Sequence, residues 1–125
     1  PVTAAINATD APASAASAAA LARAELILNH LDAFRDINTS GGNGFDALLG
    51  RLDFEHIGLM GHSRGGEGVN KTITLNATRE QPHTLTAVFS LAPTDYNALD
   101  APGVTWATLL PYCDAAPLPH LRPPE

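Results

Sequence analysis

The chain has 125 residues, enough for one domain with a modest core. Hydrophobic residues make up 45% and charged residues 16%, a balance typical of globular proteins rather than disordered ones. A formal net charge of −6 with only 7 Lys and Arg argues against a nucleic-acid partner, because binding phosphates requires clustered cations. The single cysteine, Cys113, excludes an intrachain disulfide and a metal site built from cysteines, and no apolar run is long enough to span a membrane.

The chain divides by composition into a flexible lead-in over residues 1–13, a domain over 14–114 and a proline-rich tail over 115–125. The first predicted element is a helix over 14–36, because apolar residues recur there at three- and four-residue steps. These are Ala20, Ala24, Ile27, Leu31 and Phe34. The glycines and asparagines of "NTSGGNG" predict a loop, and a short helical turn is expected at 46–51.

Two short apolar runs predict buried strands, over residues 56–60 and 84–92, and residues 104–112 are a third strand candidate. A helix is predicted between the first two of these strands, over residues 65–77, although the glycines of its first turn weaken it. Near-continuous apolar strands that alternate with helices are typical of a parallel sheet covered by helices. The sequence therefore predicts an α/β fold.

A serine flanked by glycines lies between the first predicted strand and the helix after it. Gly61-His62-Ser63-Arg64-Gly65 matches G-x-S-x-G, and this placement is that of a nucleophile elbow. The serine of an elbow takes a strained conformation, and glycine two residues before and after relieves the crowding. Valine at Gly65 is therefore expected to impair folding or reactivity. The helix would aim its N-terminal N–H groups, including that of Arg64, at an oxyanion.

Other interpretations of this segment require different chemistry. A serine that merely caps the helix is the structural alternative, since serine is a common N-cap. A phosphate-binding loop is excluded because Glu67 stands where lysine should contact phosphate, and a dinucleotide fold because Lys71 replaces the third glycine. His56 and His62 have no third ligand at a helpful spacing, so no metal site is predicted.

The segment "IGLMGHSRGGEGV" (57–69), followed by "FSLAPTDYN" and "LLPYCD", resembles the α/β-hydrolase superfamily. It is most similar to secreted bacterial hydrolases related to the dienelactone hydrolase, platelet-activating-factor acetylhydrolase and polyester-hydrolase groups. The resemblance extends from Leu26 to Asp114 and implies an extracellular esterase with a serine–acid–histidine triad, a small-molecule ester substrate and no cofactor. It covers the central part of that fold, so the chain is expected to be a fragment with little activity alone.

The resemblance assigns Ser63 as the nucleophile and the Arg64 backbone N–H as an oxyanion donor, with His62 as a packing residue of the elbow. For the triad acid it offers Asp114, in "PYCD", although relatives often have a second, catalytic aspartate where this chain has Ala116. Asp95, in the loop after the preceding strand, is the alternative acid.

The triad histidine is not identified from the sequence. His120 follows Asp114 by only six residues, in the proline-rich tail, and His83 precedes a strand and should lie at the sheet edge opposite to the elbow. Two further hypotheses therefore stand beside the esterase. One is a non-catalytic remnant of the fold with a structural or interaction role, and the other is a flavodoxin-like domain that binds a small ligand.

Overall fold

The computed structural model describes residues 13–42, 44–94 and 102–111. The described elements, in chain order, are helix α1 (Ala13–Ser40), a 3₁₀ turn (Asp46–Leu48), strand β1 (Ile57–His62), helix α2 (Arg64–Asn76), strand β2 (Leu85–Leu91) and strand β3 (Thr105–Leu109). Each predicted helix and strand is present within a few residues of its predicted bounds. The predicted α/β class, with two helices and a short parallel sheet, is confirmed.

The three strands form a parallel sheet in the order β1-β2-β3. His62 pairs with Leu91, and Leu91 pairs with Leu109, so the carboxyl ends of all three strands lie at the same edge. We call it the carboxyl edge of the sheet. The segments that leave β1 and β2 therefore begin side by side, and this arrangement brings the two together at the candidate site.

Helix α2 packs against β1 and β2 and supplies the centre of the core. Val69 and Ile73 of the helix and Val88 of β2 are buried. Half-buried apolar side chains surround this cluster: Ile27, Leu59, Leu85 and Val104. Burial of apolar surface is the main stabilising contribution in a domain of this size. The apolar face of α2 that carries Val69 and Ile73 therefore holds this helix on the sheet.

Helix α1 packs on α2 and is longer than predicted, ending at Ser40 rather than at residue 36. Two polar side chains of its last turn have hydrogen-bond partners that sequence periodicity does not reveal. Thr39 Oγ1 donates to the Arg35 carbonyl at 2.8 Å, and Asn38 accepts from the Leu52 N–H at 2.9 Å. Although α1 has 28 residues, no helix in the described parts of the chain is long and apolar enough to cross a membrane.

The buried face of α1 differs in part from the predicted one. Ala20, Ala24 and Leu28 are almost fully buried, whereas the predicted Ile27, Leu31 and Phe34 are half-buried. The difference arises because α1 packs mainly on another helix, α2, while its next stripe of side chains lies beside β1. That second stripe lines the cavity described below.

A polar cluster joins α1, the end of α2 and the start of β2, at the edge opposite to the carboxyl edge. The His83 side chain is fully buried, and its Nε2 lies 2.9 Å from Asp32 Oδ1. Arg79 donates to Asp32 Oδ2 at 2.6 Å, and Arg35 donates to His83 Nδ1. Because Nδ1 accepts this hydrogen bond, the ring is neutral and Nε2–H is the donor to Asp32.

Candidate active site

Ser63 occupies the tight turn between β1 and α2. Its backbone has φ 54° and ψ −125°, and it is one of two non-glycine residues with positive φ in the described chain. L-residues rarely adopt such a conformation, which costs about 1–3 kcal/mol and persists only when the surroundings impose it. The strand–strained turn–helix geometry predicted for a nucleophile elbow is thus present at Ser63.

The Ser63 hydroxyl does not cap the helix. Ser63 is the N-cap residue of α2, yet its side chain makes no capping hydrogen bond. The Ser63 residue is half-buried. The capping alternative therefore does not explain why a serine stands here.

Backbone hydrogen bonds on both sides hold the strained turn. The Ser63 N–H donates to the Leu91 carbonyl at 2.9 Å, which continues the pairing of β1 with β2. The Ser63 carbonyl accepts from the Gly66 N–H at 2.9 Å and from the Thr94 N–H at 3.2 Å. The turn is thus fixed by α2 and by the segment after β2, so its conformation depends on the carboxyl edge as a whole.

Two glycines permit the close approach of backbone segments at this turn. A Cβ at Gly61 would overlap the Gly65 carbonyl and lie 2.7 Å from the Gly66 nitrogen. A Cβ at Gly66 would lie 2.7 Å from Pro93 Cβ. The expectation that a side chain at Gly65 would crowd the turn is wrong, because a Cβ there would meet no atom within 4 Å beyond its chain neighbours and the backbone of its own helix. The crowding falls on Gly61, which faces the backbone of Gly65.

The first turn of α2 carries a mixed set of charges beside Ser63. Arg64 is the first residue of α2, so its backbone N–H belongs to the positive end of the helix dipole. Glu67 and Arg23 are both buried, at 3% and 8% exposure. Burial lowers the pKa of Arg23, as does the charge of Arg64, while the opposite charge of Glu67 acts to raise it.

The remaining predicted site residues divide into those that the structure places and those outside the described residues. His62, expected to pack, is exposed because β1 extends through it and presents its side chain to solvent. His83 lies at the opposite edge, as expected. On the surface, His56 Nδ1 lies 2.8 Å from Asp53 Oδ2. Asp95, Asp114 and His120 lie outside the described residues. The described chain thus contains the strained strand–turn–helix at Ser63 but does not place a triad acid or histidine.

A cavity of about 500 Å³ lies between α1 and β1 and reaches the elbow. At the elbow end, Gly61, His62 and Gly65 form its wall. Further along, the wall is mainly apolar, from Ile27, Leu31, Phe34 and Leu59. Its volume is in the range of small-molecule sites.

Sequence reasoning missed the buried and contacting residues around the elbow, namely Arg23, Glu67, Pro93 and Thr94. A glutamate in the first turn of a helix is usually solvated and favoured there by the dipole, so Glu67 gives no sign of burial. Pro93 and Thr94 read as ordinary loop residues. Only the pairing of β1 with β2, which brings residue 94 to the Ser63 carbonyl, reveals their role.

No group of three or more His, Cys, Asp or Glu side chains suited to a metal ion occurs in the described ranges. The chain was also compared with known proteins. It matches no protein-family model, no curated protein and no solved structure.

Proposed function

We propose that this chain is a serine hydrolase of the α/β-hydrolase type that acts on carboxylic esters, with Ser63 as its nucleophile. The observation that carries the proposal is the conformation of Ser63: a non-glycine residue at φ 54°, at the carboxyl edge, whose hydroxyl makes no cap hydrogen bond. Strain of this kind is typical of functional sites, since a residue that served only to turn the chain would be better replaced by glycine.

In the proposed reaction, Ser63 Oγ attacks the ester carbonyl carbon, and its proton passes to a general base. The carbonyl oxygen becomes an oxyanion near the N-terminus of α2, where the Arg64 N–H and the helix dipole stabilise the negative charge. Collapse of this intermediate breaks the bond to the alkoxy oxygen, which leaves as the alcohol after taking up the proton. Water then hydrolyses the acyl-serine to the free acid.

The general base and the acid that orients it are assigned from the family resemblance alone. The resemblance implies a histidine, oriented by Asp114 or Asp95, in these two roles. The cavity beside the elbow supports an ester with an apolar portion as substrate, because its wall beyond Gly61 is formed by aliphatic and aromatic side chains.

Labelling with an alkyl fluorophosphonate tests this function without requiring turnover. The reagent phosphonylates an activated serine, so we expect a single adduct on the wild-type chain, located at Ser63 by peptide mass spectrometry. The Ser63→Ala variant should lose the adduct completely. Ser40→Ala, which alters an exposed serine at the end of α1, is the matched control and should be labelled like wild type.

Two outcomes would contradict the proposal. One is an adduct that survives in Ser63→Ala, which would place the reactive group elsewhere. The other is a folded wild-type chain that reacts with no fluorophosphonate over hours at millimolar reagent, which would favour the non-catalytic remnant.

A further inference from the structure

The carboxylate of Glu67 is buried within one turn of the elbow. Only 3% of this residue is exposed, although it belongs to the first turn of α2. Removing a carboxylate from water is costly unless hydrogen bonds and opposite charge replace the lost hydration. A buried glutamate at this position therefore requires partners, and its partners show what it holds in place.

Thr94 is the hydrogen-bond partner that links Glu67 to the elbow. Its hydroxyl donates to Glu67 Oε2 at 3.1 Å, and its backbone N–H donates to the Ser63 carbonyl at 3.2 Å. One residue of the segment after β2 thus makes contact with both the first turn of α2 and the strained peptide. Pro93, next to it, lies close against Gly66.

Arg23 supplies the opposite charge. It is buried on α1, its side chain lies against Gly68, and the Glu67 charge acts on it. The carboxylate therefore interacts with the Arg23 charge and accepts the Thr94 hydroxyl. A buried group with such partners has little freedom to move, and neither has the threonine bound to it.

We infer that Glu67 and Thr94 are positioning residues for Ser63: the buried carboxylate fixes the Thr94 hydroxyl, and the Thr94 N–H in turn fixes the Ser63 carbonyl. The inference rests on the proposed function, because it assigns the pair to the nucleophile. Its physical basis is that a strained backbone relaxes when a contact that holds it is lost. Without the Thr94 anchor, the Ser63 carbonyl keeps only the bond from the Gly66 N–H, so the peptide can rotate further toward an ordinary conformation, and such rotation moves Oγ away from the carboxyl edge.

Substitution of Thr94 separates positioning from stability. Thr94→Val keeps the branched shape and the backbone N–H but removes the hydroxyl, so Glu67 no longer holds the segment. Loss of a hydrogen bond to a charged group should lower the second-order rate of Ser63 phosphonylation about tenfold. Thr94→Ser restores the hydroxyl and should label within about twofold of wild type. Thr86→Val is the matched control, since it removes a hydroxyl that bonds the Ile57 carbonyl near the start of β2.

Amide hydrogen exchange gives a second readout that does not depend on labelling. The Gly66 N–H, which donates to the Ser63 carbonyl, should exchange about tenfold faster in Thr94→Val, while Ile73 of the core keeps its wild-type rate. Unchanged labelling and unchanged Gly66 exchange in a folded Thr94→Val chain would overturn the inference. Slowed labelling in Thr86→Val to the same extent would also overturn it, because a general loss of stability would then explain both.

The two proposals fail in different ways. If the wild-type chain is not labelled at Ser63, the proposed function fails. Amide hydrogen exchange at Gly66 then becomes the only test of whether Thr94 anchors the turn. Faster Gly66 exchange in Thr94→Val but not in Thr86→Val still supports the Glu67–Thr94 link to the turn. Equal exchange in the two variants refutes it.

Discussion

Replacing Gly61 with alanine is expected to lower the free energy of unfolding by about 3 kcal/mol. The added Cβ overlaps the Gly65 carbonyl and lies 2.7 Å from the Gly66 nitrogen, and both belong to backbone that cannot move without opening the turn. The same displacement should release the strained conformation of Ser63, so labelling should also be lost in whatever fraction of the variant stays folded.

Urea denaturation followed by circular dichroism measures the loss, and Gly58→Ala is the control within the same strand. Gly58 lies three residues earlier in β1, and no atom lies within 4 Å of its Cβ position. Its alanine variant should match wild type or gain slightly, because alanine restricts the unfolded chain more than glycine does. Equal stabilities for the two variants would show that β1 and α2 are not as close at the elbow as described.

Replacing Asp32 with alanine is expected to cost about 2 kcal/mol of stability. The change leaves the buried Nε2–H of His83 without its acceptor and removes the carboxylate that binds Arg79. The loss of stability is no larger because the Asp32 side chain is 38% exposed, so water can replace part of the hydrogen bonding that the carboxylate provides. The measurement is the midpoint and slope of urea unfolding at pH 7.5.

A second aspartate–histidine pair provides the control. Asp53 lies 2.8 Å from His56, a distance like that between Asp32 and His83, but both side chains are mostly exposed. Asp53→Ala should therefore leave stability unchanged within error. A large loss in this variant, or none in Asp32→Ala, would contradict the assignment of the buried cluster as the link between α1, α2 and β2.

The same cluster makes the wild-type fold sensitive to acid. Burial lowers the pKa of His83, helped by the charge of Arg35 and opposed by the bond to Asp32, so the folded ring protonates at lower pH than the unfolded one. Burial alone would raise the pKa of Asp32, but hydrogen bonds from Arg79 and His83 lower it. Because both folded pKa values are depressed, the unfolded chain binds more protons, and stability present above about pH 6.5 declines as the pH falls. In Asp32→Ala, the part of the pH dependence of the unfolding free energy that this carboxylate contributes near pH 4 should be absent.

The sequence was sufficient to predict the elements that follow a simple local pattern. The apolar runs that became β1 and β2, and the glycine-flanked serine between them, carry their structure locally, because a buried strand and a tight turn each depend on a few adjacent residues. The three strands and both helices were predicted for this reason, and Ser63 lies in the predicted turn.

What the sequence could not supply depends on contacts between distant segments. The roles of Gly61 and Gly66 differ from that of Gly65 only because of which segment approaches each of them, and no local pattern distinguishes the three. Glu67 is buried among residues distant in sequence: it accepts from Thr94 and its charge acts on Arg23, at separations of 27 and 44 residues along the chain. The last turns of α1 persist because Asn38 binds Leu52, which periodicity cannot show.

Acetylation by an activated aryl acetate tests the central claim, that Ser63 is a nucleophile for acyl transfer, most directly. The reagent resembles an ester substrate, and intact-mass and peptide analysis after a short exposure at pH 7.5 locates the acetyl group. We expect one acetyl group on the peptide that contains Ser63, released again by hydroxylamine and absent from Ser63→Ala. Acetylation confined to Lys71 and the terminal amine, at equal rates in wild type and Ser63→Ala, would contradict the account.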